Sequence, residues 1–176
     1  LVGSEMCIRD SHRGFFDTII SYSMMPGITG FVAKKEIEKV PLLRVWMRYL
    51  HCLFLDRANI KEGLKTILKG IDEVKAGISM VIFPEGTRNK GDGIMPFKEG
   101  SFKIAEKSGC LIIPMVQNNT SAAFEDHFPF IRRTHTIIEF GTPIDLTTLS
   151  KEDRKAIGAY THSIMLKMYE KNQSLV

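Results

Sequence analysis

A histidine and an aspartate near the start of the 176-residue chain, His12 and Asp17, are separated by four residues. On an ideal helix these two side chains would point ~140° apart. They can meet only if His12 lies in a loop and Asp17 lies on the first turn of a helix and reaches back. The carboxylate would then accept one imidazole N–H and leave the other ring nitrogen free to take a proton, as in an oriented general base. Such a pair is common, so it predicts catalysis only together with other residues.

A second candidate site is the segment Phe83–Asn89, with the sequence FPEGTRN, at the end of an apolar run. Ligands bind at the carboxyl ends of strands in α/β sheets, where glycine lets the backbone approach a ligand and arginine offers a planar fork for phosphate. The alternative is a turn with a surface arginine. Arg57 also follows a strand-like run. Two arginines at successive strand ends favour one basic, anion-binding pocket.

The elements that must position these residues alternate between apolar, strand-like runs and amphipathic, helical runs. This pattern predicts an α/β fold with a central mixed, largely parallel sheet flanked by helices. The predicted strands lie at 28–33, 52–55, 78–83, 110–116 and 136–140. The predicted helices lie at 17–25, at 36–50 with an interruption at Pro41, at 60–76, at 100–108 and from 150 to about 170.

Composition bounds the class of protein. With 44% hydrophobic and 25% charged residues, the chain has the length and balance of one compact domain. It contains no apolar stretch of the ~18 residues that a membrane-spanning helix needs. The three cysteines have neither disulfide-framework nor zinc-ligand spacing, which indicates a reducing, cytoplasmic environment. The net charge of +4 suggests acidic partners, but no basic stripe interleaved with aromatics predicts nucleic-acid binding.

The first residues need a separate interpretation. The segment 1–10, LVGSEMCIRD, has no apolar period, cap or turn signal. It resembles one reading frame of the transposase adapter used in sequencing libraries, which would make Ser11 a junction codon. We therefore expect residues 1–11 to be non-native and residues 12–176 to be an N-terminally truncated domain. A genomic read that continues through LVGSEMCIRD would contradict this expectation.

Taken together and in order, these motifs resemble the lysophosphatidic acid acyltransferase family, from His12 to about residue 145. Five segments carry the resemblance, namely His12–Asp17 (HRGFFD), 33–37 (AKKEI), 54–57 (FLDR), 83–88 (FPEGTR) and 113–116 (IPMV). Each of these short motifs alone would be weak. Five ordered matches over most of a domain are strong, and they imply the glycerolipid acyltransferase fold.

The resemblance also implies roles for individual residues. His12 would be the general base that takes the proton from the acceptor hydroxyl, and Asp17 would fix its tautomer, with no acyl-enzyme and no metal or other cofactor. The residues implied to hold the acceptor phosphate are Arg57, Arg88, Lys34 and the backbone at Gly86. Two alternatives stay open. Glu85 lies beside the acceptor in the family pattern, while Thr87 either bonds it or only stabilises the turn. Ile113 and Pro114 either shape a pocket wall or belong to a core strand.

Three departures from the family pattern stand out. Asn is usual at position 11, where the adapter interpretation accounts for serine. Serine is usual at position 14, so Gly14 removes a hydroxyl near the base. Gln117 replaces a common second proline. We expect the last two to tune activity or specificity.

The function implied is transfer of a fatty acyl group from acyl-CoA or acyl carrier protein to 1-acyl-glycerol-3-phosphate, giving phosphatidic acid. Glycerol-3-phosphate or another lysophospholipid is an alternative acceptor, and a catalytically silent lipid-binding module is an alternative of another class. The family resemblance implies attachment to the cytoplasmic face of a membrane, through a docking segment upstream of residue 12. The segment Phe124–Phe130, before Arg132 and Arg133, could be an interfacial patch or a loop with packed aromatics.

Overall fold

The computed structural model describes residues 6–9 (main chain only), 14, 16–25, 27–86 and 93–176. A six-stranded sheet in the order β3-β2-β4-β1-β5-β6 forms its centre. The strands are β1 Met6–Arg9, β2 Thr29–Lys34, β3 Leu53–Leu55, β4 Ser79–Ile82, β5 Ile112–Asn118 and β6 Ile137–Phe140. All neighbours pair in parallel except β5 and β6. The predicted α/β class with a mixed, largely parallel sheet is confirmed.

Helices cover both faces of the sheet, as parallel strands require. The helices are α1 Phe16–Ser23, α2 Pro41–Tyr49, α3 Ile60–Lys75, α4 Lys103–Ser108, α5 Lys151–Lys155 and α6 Ile157–Gln173. Side chains from α3, α4 and α6 share a core with Met80 and Ile112 on one face. On the other face, α1 and α2 pack against Phe31, Val81 and Ile113. In the described part of the chain, no helix is long and apolar enough to cross a bilayer.

Local signals account for several element boundaries. Asn59 caps α3 as predicted, because its side chain accepts hydrogen bonds from the backbone N–H groups of Lys61 and Glu62. Gly109, with φ +75°, ends α4 in the left-handed conformation. A kinked or broken helix was expected at 36–50, and the structure shows a break before Pro41. A 3₁₀ helix spans Lys35–Lys39, and α2 starts at Pro41, where a missing N–H costs nothing.

Two expectations about the elements were wrong. No strand was predicted in the first ten residues, yet β1 pairs with β4 and β5 in the middle of the sheet. The strand has the sequence MCIR, and its three apolar residues form a shorter run than the ~4–8 residues by which a buried strand is recognised. The origin of residues 1–11 stays a prediction. The last helix was expected to be continuous, but it breaks at Ala156. The Glu99 carboxylate accepts a hydrogen bond from the freed Gly158 N–H at 3.1 Å.

Candidate active site

Parallel strands bring several of the predicted site residues to one edge of the sheet. β2 ends at Lys34, which is in register with Leu55 at the end of β3, immediately before Asp56 and Arg57. β4 lies next to β2 and leads into Glu85 and Gly86. β1 lies next to β4 and leads towards α1, whose second residue is Asp17. The carboxyl edge of four neighbouring strands thus carries a buried carboxylate and several cations.

Asp17 is fully buried at the start of α1. Its Oδ2 accepts a hydrogen bond from the Gly14 N–H at 2.8 Å, so the side chain reaches back along the chain as predicted. His12 lies outside the described residues, and its contact with Asp17 stays a prediction. The first turn of α1 is tied to the sheet by two hydrogen bonds. Gln117 on β5 donates to Ser21 Oγ at 2.9 Å, and Ser21 donates to the Asp17 carbonyl at 2.6 Å. A proline at position 117 could not make this contact.

Gly14 is buried, and its missing side chain leaves space for two carboxylates. A Cβ at this position would lie 3.0 Å from Asp17 Oδ1 and 3.3 Å from Glu125 Oε2. Glu125 belongs to the loop after β5 and was not predicted as a site residue. Its sequence neighbourhood carries no motif, so only the fold places it beside Asp17.

Replacing Gly14 by alanine is therefore expected to lower kcat by about 10-fold. The added methyl group must displace Asp17 or Glu125 by several tenths of an ångström, and small misplacement of catalytic groups is costly. Steady-state kinetics against Gly27→Ala provide the comparison, because a Cβ at Gly27 meets nothing within 4 Å. Equal kinetics for the two variants would show that this space has no catalytic importance.

Two cations converge on the turn after β4. Gly86 is buried with φ +74°, a conformation that favours glycine. A Cβ there would lie 3.2 Å from both Arg57 Nη1 and Lys98 Nζ. Lys98 is held close because its backbone N–H donates to the Pro84 carbonyl at 3.0 Å. Lys98 was not predicted, since nothing but its charge distinguishes it in the sequence.

Arg57 is an exposed residue whose guanidinium is desolvated in part by the protein around it. This desolvation lowers its pKa, although a guanidinium remains charged at neutral pH. Among the described residues, no hydrogen bond or ion pair holds the side chains of Arg57 and Lys98. Asp56 does not neutralise them. Its carboxylate accepts from Lys35 Nζ at 2.9 Å and from the backbone N–H of Ala58, and these bonds lower its pKa. The turn therefore offers two cations to an anionic ligand.

The remaining predicted residues occupy different positions. Glu85 is buried, and its Oε1 accepts a hydrogen bond from the Met95 N–H at 2.7 Å, which ties the end of β4 to Met95. Lys34 is exposed at the end of β2. Pro114 is buried within β5, the position of a core-strand residue, one of the two alternatives left open above. Thr87 and Arg88 lie outside the described residues. The described edge thus brings together Asp17, Arg57, Glu85 and Gly86.

Comparison with known proteins decides the family. A family model described as Acyltransferase matches residues 7–118. This chain belongs to the acyltransferase family. The resemblance to lysophosphatidic acid acyltransferases is confirmed by relatives named 1-acyl-sn-glycerol-3-phosphate acyltransferase. The Haemophilus influenzae relative is 31% identical, over 89% of this chain and 65% of its own length. The Saccharomyces cerevisiae relative is 29% identical, over 91% of this chain and 53% of its own length.

The same fold is present in a solved structure. The crystal structure of the 1-acyl-sn-glycerophosphate (LPA) acyltransferase from Thermotoga maritima matches this acyltransferase with a TM-score of 0.79 at 22% identity. The match covers 95% of this chain and 65% of that one. This acyltransferase chain therefore spans between half and two thirds of the length of these three proteins.

Proposed function

We propose that the chain catalyses acyl transfer from an acyl thioester to the free hydroxyl of 1-acyl-glycerol-3-phosphate, giving phosphatidic acid. The observation that carries the proposal is the shared edge of the sheet. It has a buried carboxylate, Asp17, at one helix start and two cations, Arg57 and Lys98, over a glycine turn. An acceptor with a phosphate and a hydroxyl needs this combination of a cationic cradle and an oriented base. The membership of the acyltransferase family supports it.

In the proposed reaction, His12 takes the proton of the acceptor hydroxyl, and Asp17 holds the imidazole in the required tautomer. The hydroxyl oxygen attacks the thioester carbonyl, a new C–O ester bond forms, and the C–S bond breaks. The proton on His12 then passes to the departing thiolate. Because the acceptor hydroxyl attacks the thioester directly, no acyl-enzyme forms in this mechanism.

The acceptor phosphate is assigned to the cations at the sheet edge. Arg57, Arg88, Lys34 and the Gly86 backbone were expected from the family resemblance, and the position of Lys98 adds it to the set. Glu85 lies beside the acceptor in the same assignment, and Thr87 either bonds the acceptor or only stabilises the turn. The donor is acyl-CoA or acyl carrier protein, which share the thioester arm. The proposed location is the cytoplasmic face of a membrane. Residues 12–176 are assigned to the catalytic domain, and the sheet of this structure also contains β1, Met6–Arg9.

We expect Lys98→Ala to raise the KM for 1-acyl-glycerol-3-phosphate by about 5- to 10-fold, because one charge-assisted contact to phosphate is lost. The KM for the acyl donor should not change. Lys107→Ala is the matched control, since Lys107 is also exposed but lies on α4. If both variants changed the acceptor KM equally, the effect would come from net charge and not from a contact at Gly86.

A panel of acceptors separates the alternatives. The proposal predicts thiol release with 1-acyl-glycerol-3-phosphate and much slower release with lysophosphatidylcholine, whose larger headgroup covers the phosphate. Faster release with glycerol-3-phosphate would favour that acceptor. No thiol release with any acceptor would favour the lipid-binding module.

A further inference from the structure

The loop between β5 and β6, residues 119–136, ends in an apolar tip formed by Phe128, Phe130 and Ile131. These side chains are 73%, 72% and 69% exposed. Single exposed apolar residues are ordinary on protein surfaces, but three bulky ones within four positions of one loop are not. The free energy of hydration opposes such an arrangement, so the tip is a candidate contact surface.

The tip is held on an ordered frame of hydrogen bonds. The Phe130 N–H donates to the His127 carbonyl, and the Arg132 N–H donates to the Ala123 carbonyl, both at 2.9 Å. Thr134 Oγ1 donates to the Ala122 carbonyl at 3.1 Å. These bonds close the loop on itself below the tip. They hold in place the backbone that carries the exposed apolar side chains.

A chain of aromatic contacts connects the tip to the candidate active site. The Phe128 ring packs edge-on against Phe124 at 5.4 Å, and Phe124 packs edge-on against Phe16 at 5.9 Å. Phe16 begins α1 and immediately precedes Asp17. Glu125, which follows Phe124, lies beside Gly14. The tip is thus two ring contacts away from the helix that carries the buried carboxylate.

The residues that follow the tip determine what kind of surface fits it. Arg132 and Arg133 are both exposed, and no carboxylate pairs with either of them in the described part of the chain. Aromatic and aliphatic side chains bordered by arginine are typical of segments that enter the headgroup region of anionic bilayers. A protein partner such as an acidic carrier would be attracted by the arginines but would also need a cavity for the convex tip.

We propose that the apolar tip, with Arg132 and Arg133, inserts into an anionic lipid surface and so turns the active-site edge towards its lipid substrate. The delivery of a lipid substrate rests on the proposed function, whereas the binding of the tip to a membrane can be tested without it. The tip enters the interface between headgroups and acyl chains, while the arginines contact lipid phosphates. The acceptor can then reach the sheet edge that carries Arg57 without leaving the bilayer environment completely.

Vesicle binding tests the proposal. The chain is centrifuged with vesicles of phosphatidylcholine alone or of phosphatidylcholine with phosphatidylglycerol. Phe130→Ser/Ile131→Ser should reduce partitioning into anionic vesicles by at least about 10-fold. It leaves Phe128, and therefore its contact with Phe124, in place. Arg132→Gln/Arg133→Gln should reduce it by up to about 30-fold, and most of that loss should disappear at high salt.

A matched control and a direct probe make the result specific. Leu64→Ser/Leu68→Ser removes two aliphatic side chains that are 56% and 53% exposed on α3, and it should bind like the unmodified chain. In a Trp46→Phe background, Phe130→Trp should shift its fluorescence to the blue on vesicle binding and be quenched by brominated lipid. This probe keeps the test valid if the double serine variant folds poorly.

Several outcomes would overturn the proposal. The proposal fails if the unmodified chain does not bind vesicles, or if the α3 control variant loses as much vesicle binding as the tip variant. It also fails if a tryptophan at position 130 shows no fluorescence shift, or if the arginine variants change only the KM for a carrier-protein donor. The proposed function is tested separately with a short-chain, water-soluble acceptor. Tip variants should retain turnover of that acceptor and lose turnover of vesicle-bound acceptor. No turnover of either acceptor by the unmodified chain would refute the enzymatic function but would leave vesicle binding to decide this inference.

Discussion

Replacing Asp17 by asparagine is expected to lower kcat for acyl transfer by about 10³- to 10⁴-fold. The asparagine amide can still accept the hydrogen bond that Asp17 Oδ2 receives from the Gly14 N–H, so the local fold should persist. What is lost is the negative charge that stabilises the protonated imidazole of His12 in the transition state. The KM values for donor and acceptor should change little, because Asp17 is assigned no contact with either substrate.

The expected result for His12→Ala is a loss of the same order or somewhat smaller, about 10²- to 10⁴-fold in kcat, with binding of the acceptor retained. The effects of the two substitutions should not add in a double variant, because the two residues act as one unit. Asp126→Asn is the matched control, since Asp126 is an exposed carboxylate next to Glu125 in the sequence, and in the described part of the chain it accepts a single hydrogen bond, from Ser121 Oγ. Turnover retained by His12→Ala would refute the assignment of the base.

The second large effect is expected at Arg57. Arg57→Ala should raise the KM for 1-acyl-glycerol-3-phosphate by about 10- to 100-fold and leave the KM for the acyl donor unchanged. The physical reason is the loss of a partly desolvated guanidinium from a turn where Gly86 leaves space for the ligand. Hydrogen bonds to charged groups are worth about 1.5–3 kcal/mol, which corresponds to this range.

The measurement is a pair of saturation curves, one for each substrate, and binding of inorganic phosphate followed by calorimetry. Arg44→Ala is the control, because Arg44 is an exposed arginine on α2. Arg88→Ala should behave like Arg57→Ala if both hold the phosphate. An equal rise in the donor and acceptor KM values would argue against a phosphate-binding role for these arginines.

Strand and helix patterning predicted the part of the fold that depends on side chains. The buried strands, the cap at Asn59 and the stop at Gly109 each have a local chemical cause that a single sequence displays. β1, with the sequence MCIR, is too short to display such a signal, although it pairs with β4 and β5 in the middle of the sheet. The helix break at Ala156 also escaped prediction. The Gly158 N–H that follows the break bonds to Glu99, which is far away in the sequence.

The site was predictable to the extent that its residues belong to contiguous motifs. Asp17, Arg57, Glu85 and Gly86 were identified from short segments, and the fold brings these segments to one edge of the sheet. Lys98 and Glu125 were missed because neither belongs to a motif. Lys98 is placed by the hydrogen bond from its N–H to the Pro84 carbonyl, and Glu125 lies beside Gly14, which is far from it in the sequence. Gly14 was noticed only as a lost hydroxyl. The structure shows that the missing side chain of Gly14 leaves space beside the carboxylates of Asp17 and Glu125.

The central claim, direct acyl transfer to a phosphate-bearing acceptor, is tested most directly by following donor thiol and lipid product in one reaction. The chain is incubated with an acyl thioester, with and without labelled 1-acyl-glycerol-3-phosphate. The proposal predicts that thiol is released only when the acceptor is present, in a one-to-one ratio with phosphatidic acid, and that Asp17→Asn abolishes both signals. Thiol release without acceptor, or no phosphatidic acid above the level of the Asp17→Asn variant, would contradict it.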